Sequence, residues 1–169
     1  ARSTEAINRY FATVRRALDD IERLSGTPVT IAAHPRADPG SLEIHYGGRR
    51  VNHEDTASQI AESALVLLAA PSTALSIMTT LRKPALLLTA RSFDPYLQVV
   101  LPRLSALLHI ETWSADTEHS TWRMPTVNDA AYADYVSRFV KRSGTSELPF
   151  WTQVARDALA WGTPEFQGS

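Results

Sequence analysis

Two short stretches of this 169-residue chain bring together residue types that grip an anion. His34-Pro35-Arg36 ends the apolar, β-branched run Val29-Thr30-Ile31-Ala32-Ala33, and Ser72-Thr73 follows the apolar run 64–70 through Pro71. A buried parallel strand that delivers an imidazole and a guanidinium at its carboxyl end is how an open α/β sheet builds a phosphate site. A second strand that opens a helix with two hydroxyls completes such a site. Ser72 is typed as an N-cap and Thr73 stands in the first turn, so hydroxyls and free amide N–H groups face one pocket at the positive end of a helix dipole. Arg49, in Gly47-Gly48-Arg49-Arg50, offers a further guanidinium. Each motif also has a plainer role: a His-Pro corner shapes the chain, a serine caps a helix, and an exposed arginine pair is solvated.

The elements that must position these residues follow from apolar spacing. Ile7, Tyr10, Phe11, Val14, Leu18, Ile21 and Leu24 recur at the three-and-four spacing of one helix face, with Gly26 as a left-handed cap and Pro28 as a block to continuation. Residues 29–33 then predict a first core strand. Residues 37–52 carry Pro39-Gly40 and Gly47-Gly48, which predicts a loop with at most a short extended segment at Leu42-Glu43-Ile44-His45-Tyr46. A short helix is expected over 56–63, capped by Asp55 or Asn52. Residues 64–70 read as a strand apolar on both faces, hence part of a parallel sheet covered by helices. The spacing predicts a helix over 72–83 with Leu75, Met78, Thr79 and Leu81 inward, a strand after Pro84, a helix over 93–109 kinked at Pro102, and an edge strand over 110–113. After the polar stretch 114–123, two closing helices are expected over 127–142 and 150–161. Strands alternating with helices give the α/β class: a Rossmann-like, doubly wound, mainly parallel sheet of about four to five strands flanked by helices. Residues 1–125 form the nucleotide-sugar-binding domain on this reading, and 126–169 supply helices that pack on it or on a partner domain outside the chain.

Composition narrows the functional classes. The formal net charge is −1, so the chain has no broad basic field to draw nucleic acid or an anionic membrane, and any positive site must be local. There is no cysteine, which removes disulfide scaffolds and thiolate metal sites. No window reaches the length of a transmembrane segment. The start Ala1-Arg2-Ser3-Thr4 lacks an initiator methionine, and a piece of a longer protein stays open.

The order of motifs carries a resemblance. A helix, Val29-Thr30-Ile31-Ala32-Ala33-His34-Pro35-Arg36, Gly47-Gly48-Arg49, Asp55-Thr56-Ala57, an apolar strand, Ser72-Thr73-Ala74 and Lys83-Pro84 succeed one another as in the C-terminal, donor-binding half of bacterial surface-polysaccharide glycosyltransferases of the GT-B, capsule and lipopolysaccharide type. The His-Pro and Ser/Thr pairing is similar to that of bacterial sialyltransferases and Kdo (3-deoxy-manno-octulosonate) transferases. Tyr132, Tyr135, Val136 and Pro149-Phe150-Trp151 resemble the closing helices of that group. The likeness spans most of the chain, and its specificity resides in order and spacing.

This resemblance implies that His34, Ser72 and Thr73 contact the phosphate of a CMP-linked sugar. Together with the residues singled out above, the expected donor phosphate and nucleotide set is His34, Pro35, Arg36, Ser72, Thr73 and Arg49. Pro71 departs from the pattern, standing where a polar residue precedes the Ser-Thr pair. Retaining relatives that use UDP- or GDP-sugars place a glutamate on the helix after this strand, whereas Ala74 to Arg82 holds no acidic residue, which favours a CMP donor. Asp19-Asp20 falls within a helix and Asp116-Thr117-Glu118 in a polar stretch, so no metal site stands out and transfer without metal or cofactor is expected. The implied acceptor is a glycan or glycolipid, held by a domain this chain lacks, and the implied location is cytoplasmic, peripheral at the inner membrane. No catalytic base or nucleophile is identifiable. Two alternatives remain: a transferase that uses CDP-glycerol or a UDP-sugar, and a non-catalytic α/β module of a polysaccharide-synthesis complex with Phe150, Trp151 and Trp161 as its interaction face.

Overall fold

The helical face read from the sequence is the face that the first helix buries. The computed structural model describes residues 4–33, 38–141 and 144, and in it α1 (Thr4–Ser25) buries Thr13, Val14, Ala17, Leu18 and Ile21. Its first two turns lie at the rim, where Ile7 is exposed and Tyr10 and Phe11 are half-buried. Gly26 ends it at φ +69°, donating its N–H to Glu22 O at 2.9 Å, the left-handed termination that a Cβ would strain.

All described strand pairings are parallel, and they form two ladders. In the first, β1 (Ile31–Ala32) pairs with β2 (Val51–Asn52), with Ile31 opposite Val51 and Ala32 opposite Asn52. In the second, β3 (Val66–Leu68), β4 (Ala85–Thr89) and β5 (Glu111–Ser114) lie side by side in chain order. The α/β class is therefore as expected, with five strands divided between two ladders.

Residues 29–33 depart from the fully buried core strand expected of them. Two residues pair, Ile31 is half-buried, Thr30 and Ala32 are exposed, and Ala33 alone is buried. An apolar run that alternates inward and outward in this way is half-covered, and its composition does not distinguish that from full burial.

The segment expected to be a loop holds a helix, α2 (Pro39–His45). Asp38 caps it by accepting the Ser41 N–H at 2.9 Å, proline occupies the first turn where its missing N–H costs nothing, and Gly47 at φ +70° follows its end. Leu42-Glu43-Ile44 alternates as a strand would, yet Ile44 is 75% exposed, so the alternation reflects no buried face.

Between the ladders, α3 (Thr56–Glu62) starts where predicted, with Asp55 accepting the Ser58 N–H at 2.9 Å. The helix after β3, α4 (Thr73–Thr80), buries Leu75, Met78 and Thr79 as expected. Leu81 is the exception, exposed rather than inward. The helix stops at Thr80, and Arg82 turns left-handed at φ 52° to lead into Pro84, so helical periodicity no longer governs position 81. After β4, α5 (Pro95–Leu108) begins at an Asp94 cap, carries Pro102 inside it and ends at a left-handed His109. Then α6 (Asp129–Tyr135), capped by Asn128, runs into a π-helical turn, Val136–Val140. The second closing helix, expected over 150–161 with Phe150, Trp151 and Trp161, lies outside the described residues.

One core joins these elements. Leu87 at the centre of β4 is fully buried, Ala85, Leu86 and Leu88 are nearly so, and Leu101, Leu108, Trp113 and Tyr132 pack into the same cluster. Tyr132 brings α6 into it and donates its hydroxyl to Lys83 O at 3.2 Å, and burial pushes that hydroxyl's pKa up to about 12. Among the described residues no helix is long and apolar enough to cross a membrane. Leu87→Ala leaves a cavity that its paired strand neighbours cannot collapse into, so equilibrium urea unfolding is expected to show a loss of about 3 kcal/mol, whereas Ile44→Ser stays within about 0.5 kcal/mol of wild type.

Candidate functional site at the carboxyl edge of the sheet

Parallel pairing sends the carboxyl ends of β3, β4 and β5 to one edge, and the chain leaves that edge at Ala69-Ala70-Pro71, Ala90-Arg91 and Ala115-Asp116. Ligands of open α/β sheets bind at this edge because crossover loops there are free to vary while the strands stay fixed.

At the β3 exit the structure places Ser72 as the N-cap of α4 in extended conformation, φ −154° and ψ 173°. Its side chain makes no capping hydrogen bond, and both Ser72 and Thr73 are exposed. This contrasts with Asp38, Asp55, Asp94 and Asn128, each of which accepts the N–H three residues on. Ser72 Oγ is thus free to meet a ligand, and the amides of Thr73 and Ala74, at the first two positions of α4, stand beside it. Its backbone carbonyl is engaged, accepting the Leu75 N–H at 3.0 Å.

His34, Pro35 and Arg36 lie outside the described residues. The chain reaches them from Ala33, whose N–H donates to Asn52 O at 2.9 Å as the last rung of the first ladder.

Arg49 does not join Ser72. It precedes β2, at that strand's amino end, and lines a cavity that contains neither Ser72 nor Thr73. The solvated-surface reading of Arg49 fails, because its side chain is only 9% exposed. Arg49 Nη2 donates to Asp19 at 2.5 Å and to Glu22 at 2.6 Å, and Nη1 donates to Tyr46 O at 3.0 Å. Glu22 also accepts the Val29 N–H at 2.7 Å. Burial raises the Glu22 carboxyl, but its hydrogen bonds from Arg49 and Val29 and the Arg49 charge outweigh that and hold its pKa below the ordinary value. Arg50 is exposed.

A cleft of about 280 Å³ opens at the exits of β4 and β5, lined by Thr89, Arg91, Phe93, Gln98, Ser114 and Asp116 among others. Asp116 accepts the Arg91 N–H at 2.6 Å, and Gln98 donates to Arg91 O and Phe93 O, so the loop after β4 is held from both sides. Sequence reasoning passed over Arg91 and read Asp116 as part of a polar stretch. The signal that singled out Ser72, a polar residue one or two places beyond an apolar strand, applies equally to these two. Asp19 and Asp20 lie in α1 as read, and among the described residues no group of three or more His, Asp or Glu side chains is placed to hold a metal ion.

Because the Ser72 hydroxyl contributes no cap bond, Ser72→Ala is expected to change unfolding free energy by less than about 0.5 kcal/mol, whereas Asp55→Ala loses a real cap and about 1 kcal/mol. Chemical denaturation distinguishes the two. The Glu22 contribution has a defined pH dependence: with its folded pKa depressed, the stabilisation is complete above the ordinary carboxylate range and lost as pH falls through the lowered value. Thermal melts should therefore show wild type more stable than Glu22→Gln at neutral pH, the gap closing below about pH 4.

No protein-family model, curated protein or solved structure matches this chain, so what the site does has to be argued from its own geometry.

Proposed function

We propose that the chain is the donor-nucleotide-binding half of a GT-B glycosyltransferase that moves a sugar, Kdo or a related nonulosonate, from a CMP donor in bacterial polysaccharide biosynthesis. The observation that carries this reading is Ser72: an exposed hydroxyl at the amino end of α4, on the carboxyl edge of a parallel sheet, left unused by its own helix. The motif order described above supplies the nucleotide sugar. The acceptor and the acidic or basic group that completes transfer belong to a second domain.

The chemical task assigned to this half is to stabilise the leaving nucleotide as negative charge accumulates on its phosphate. Donors already aimed at that charge lower the barrier, and removing one costs on the order of 3 kcal/mol in such sites. Ser72 Oγ and the first-turn amides of α4 would donate to phosphate oxygens, and His34 and Arg36 would add positive charge from the end of the first strand. An imidazolium at His34 strengthens the contact over a neutral ring. Thr73 adds a second hydroxyl. This is binding and charge stabilisation, not general base catalysis.

A second reading, a non-catalytic module of a synthesis complex, draws on the exposed Phe139 and Val140 of the π-helical turn. Transfer of sugar from a CMP donor by a protein that contains this chain would exclude it.

Calorimetric titration with CMP tests the first reading. Saturable binding at millimolar CMP is expected, weakened on the order of tenfold by Ser72→Ala and by His34→Ala, each losing a hydrogen bond to a charged group. Equal binding by both variants overturns the site. A competition panel of UDP and CDP-glycerol separates the donor classes, and tighter binding of either displaces CMP as the donor.

A further inference from the structure

A second cavity, about 620 Å³, lies against one side of α1, with neither Ser72 nor Thr73 in its lining. Arg9, Ala12, Thr13, Arg15, Arg16 and Asp19 of the helix line it together with Gly47 and Arg49. Three arginines of one helix and a fourth from the β2 approach therefore face one space, and Ala12, the small residue among them, leaves room between the long side chains.

These four guanidinium groups are not equivalent. Arg9 pairs with Glu5 at 2.7 Å, and Arg49 is held by Asp19 and Glu22. Among the described residues Arg15 and Arg16 form no ion pair, and the Arg15 guanidinium makes one long hydrogen bond, 3.4 Å, to Ile44 O. Among the described residues these two charges are unpaired, and the one carboxylate in the lining, Asp19, is held by Arg49. Arg49, whose side chain is 9% exposed, keeps Nε buried with no hydrogen-bond partner, while Nη2 meets Asp19 and Glu22 and Nη1 meets Tyr46 O. An orphaned donor on a buried cation is costly, and such groups are satisfied in nearly all proteins. Gly47, at φ +70°, lets the chain pass close to both arginines: a Cβ there would stand 3.2 Å from Arg15 Cδ and 3.5 Å from Arg49 Nη1.

We infer that this cavity is a second anion site, distinct from the one at Ser72, that takes the phosphoryl group of a phosphate-bearing ligand. A phosphoryl group has three terminal oxygens and close to two charges, enough to meet Arg15 and Arg16 together, whereas a carboxylate has two oxygens and one charge. The volume exceeds that of phosphate itself and leaves space for the remainder of the ligand. Soluble phosphate esters and anionic lipid headgroups share this chemistry.

The test uses the full chain, with inorganic pyrophosphate as one probe and phosphatidylcholine vesicles containing phosphatidylglycerol as the other. Calorimetry is expected to show saturable pyrophosphate binding, or sedimentation to show binding to the anionic vesicles and not to pure phosphatidylcholine. The first result identifies a soluble phosphate and the second a headgroup. In either case Arg15→Gln with Arg16→Gln should weaken binding at least about tenfold, the loss of one charge-assisted contact or more, and Ala12→Glu should abolish it by filling the cavity with a carboxylate. Both variants keep good helix formers at solvent-facing positions, and an unchanged melting temperature shows that they fold. Ser72→Ala should leave pyrophosphate binding unaltered, which separates this site from the proposed CMP site. Absence of binding to both probes, binding indifferent to the arginine and Ala12 substitutions, or binding lost with Ser72→Ala overturns the inference.

Discussion

Strand β4 is hydrogen-bonded on both sides, to β3 and to β5, and the rest of the larger ladder is arranged around that fact. A strand with parallel neighbours on both edges surrenders its amides to the sheet and must present apolar side chains on both faces, which Ala85-Leu86-Leu87-Leu88 does. Parallel neighbours cannot be joined by a tight turn, so each connection is a crossover, α4 into β4 and α5 into β5. Each crossover returns the chain to the same starting edge. The exits of all three strands therefore align, and Ser72, Arg91 and Asp116 stand along one border as a result of strand direction, whatever any of them binds.

What the sequence disclosed depended on how local the signal was. The buried face of α1, the Gly26 termination, the Asp55 cap and the central strand 85–88 rest on interactions within a few residues, and each was legible. The helix at 39–45 was missed because Pro39-Gly40 and alternating Leu42-Glu43-Ile44 read as loop and strand, while the deciding cap, Asp38 to the Ser41 N–H, looks in sequence like another turn residue. Burial of 29–33 was overstated because an apolar run does not reveal how many neighbours it will have.

The candidate site divides along the same line. Placement of Ser72 at a strand exit and helix start was readable from apolar periodicity, but the idleness of its hydroxyl was not, since nothing in a Ser-Thr pair says whether the serine closes on its own helix. Arg49 was unreadable for another reason: its carboxylate partners lie 27 and 30 residues earlier. A guanidinium drawn into such a pair exchanges solvent for fixed charges, and no composition rule anticipates which arginine of a Gly-Gly-Arg-Arg stretch will do so. His34-Pro35-Arg36 lie outside the described residues.

Glu22 has a wider role than neutralising Arg49. Its two carboxylate oxygens hold the Val29 N–H and the Arg49 guanidinium, and Val29 stands two residues before Ile31 just as Arg49 stands two before Val51, the residues paired in the first ladder. One side chain on α1 thus spans equivalent positions on the approaches to both strands. A hairpin sets its own register through the turn, but a parallel pair joined through a helix has no such device, and a two-residue ladder has too few rungs to resist slippage alone. The carboxylate acts as an alignment mark: sliding β2 by one residue would carry Arg49 out of reach and turn Val51 to the opposite face.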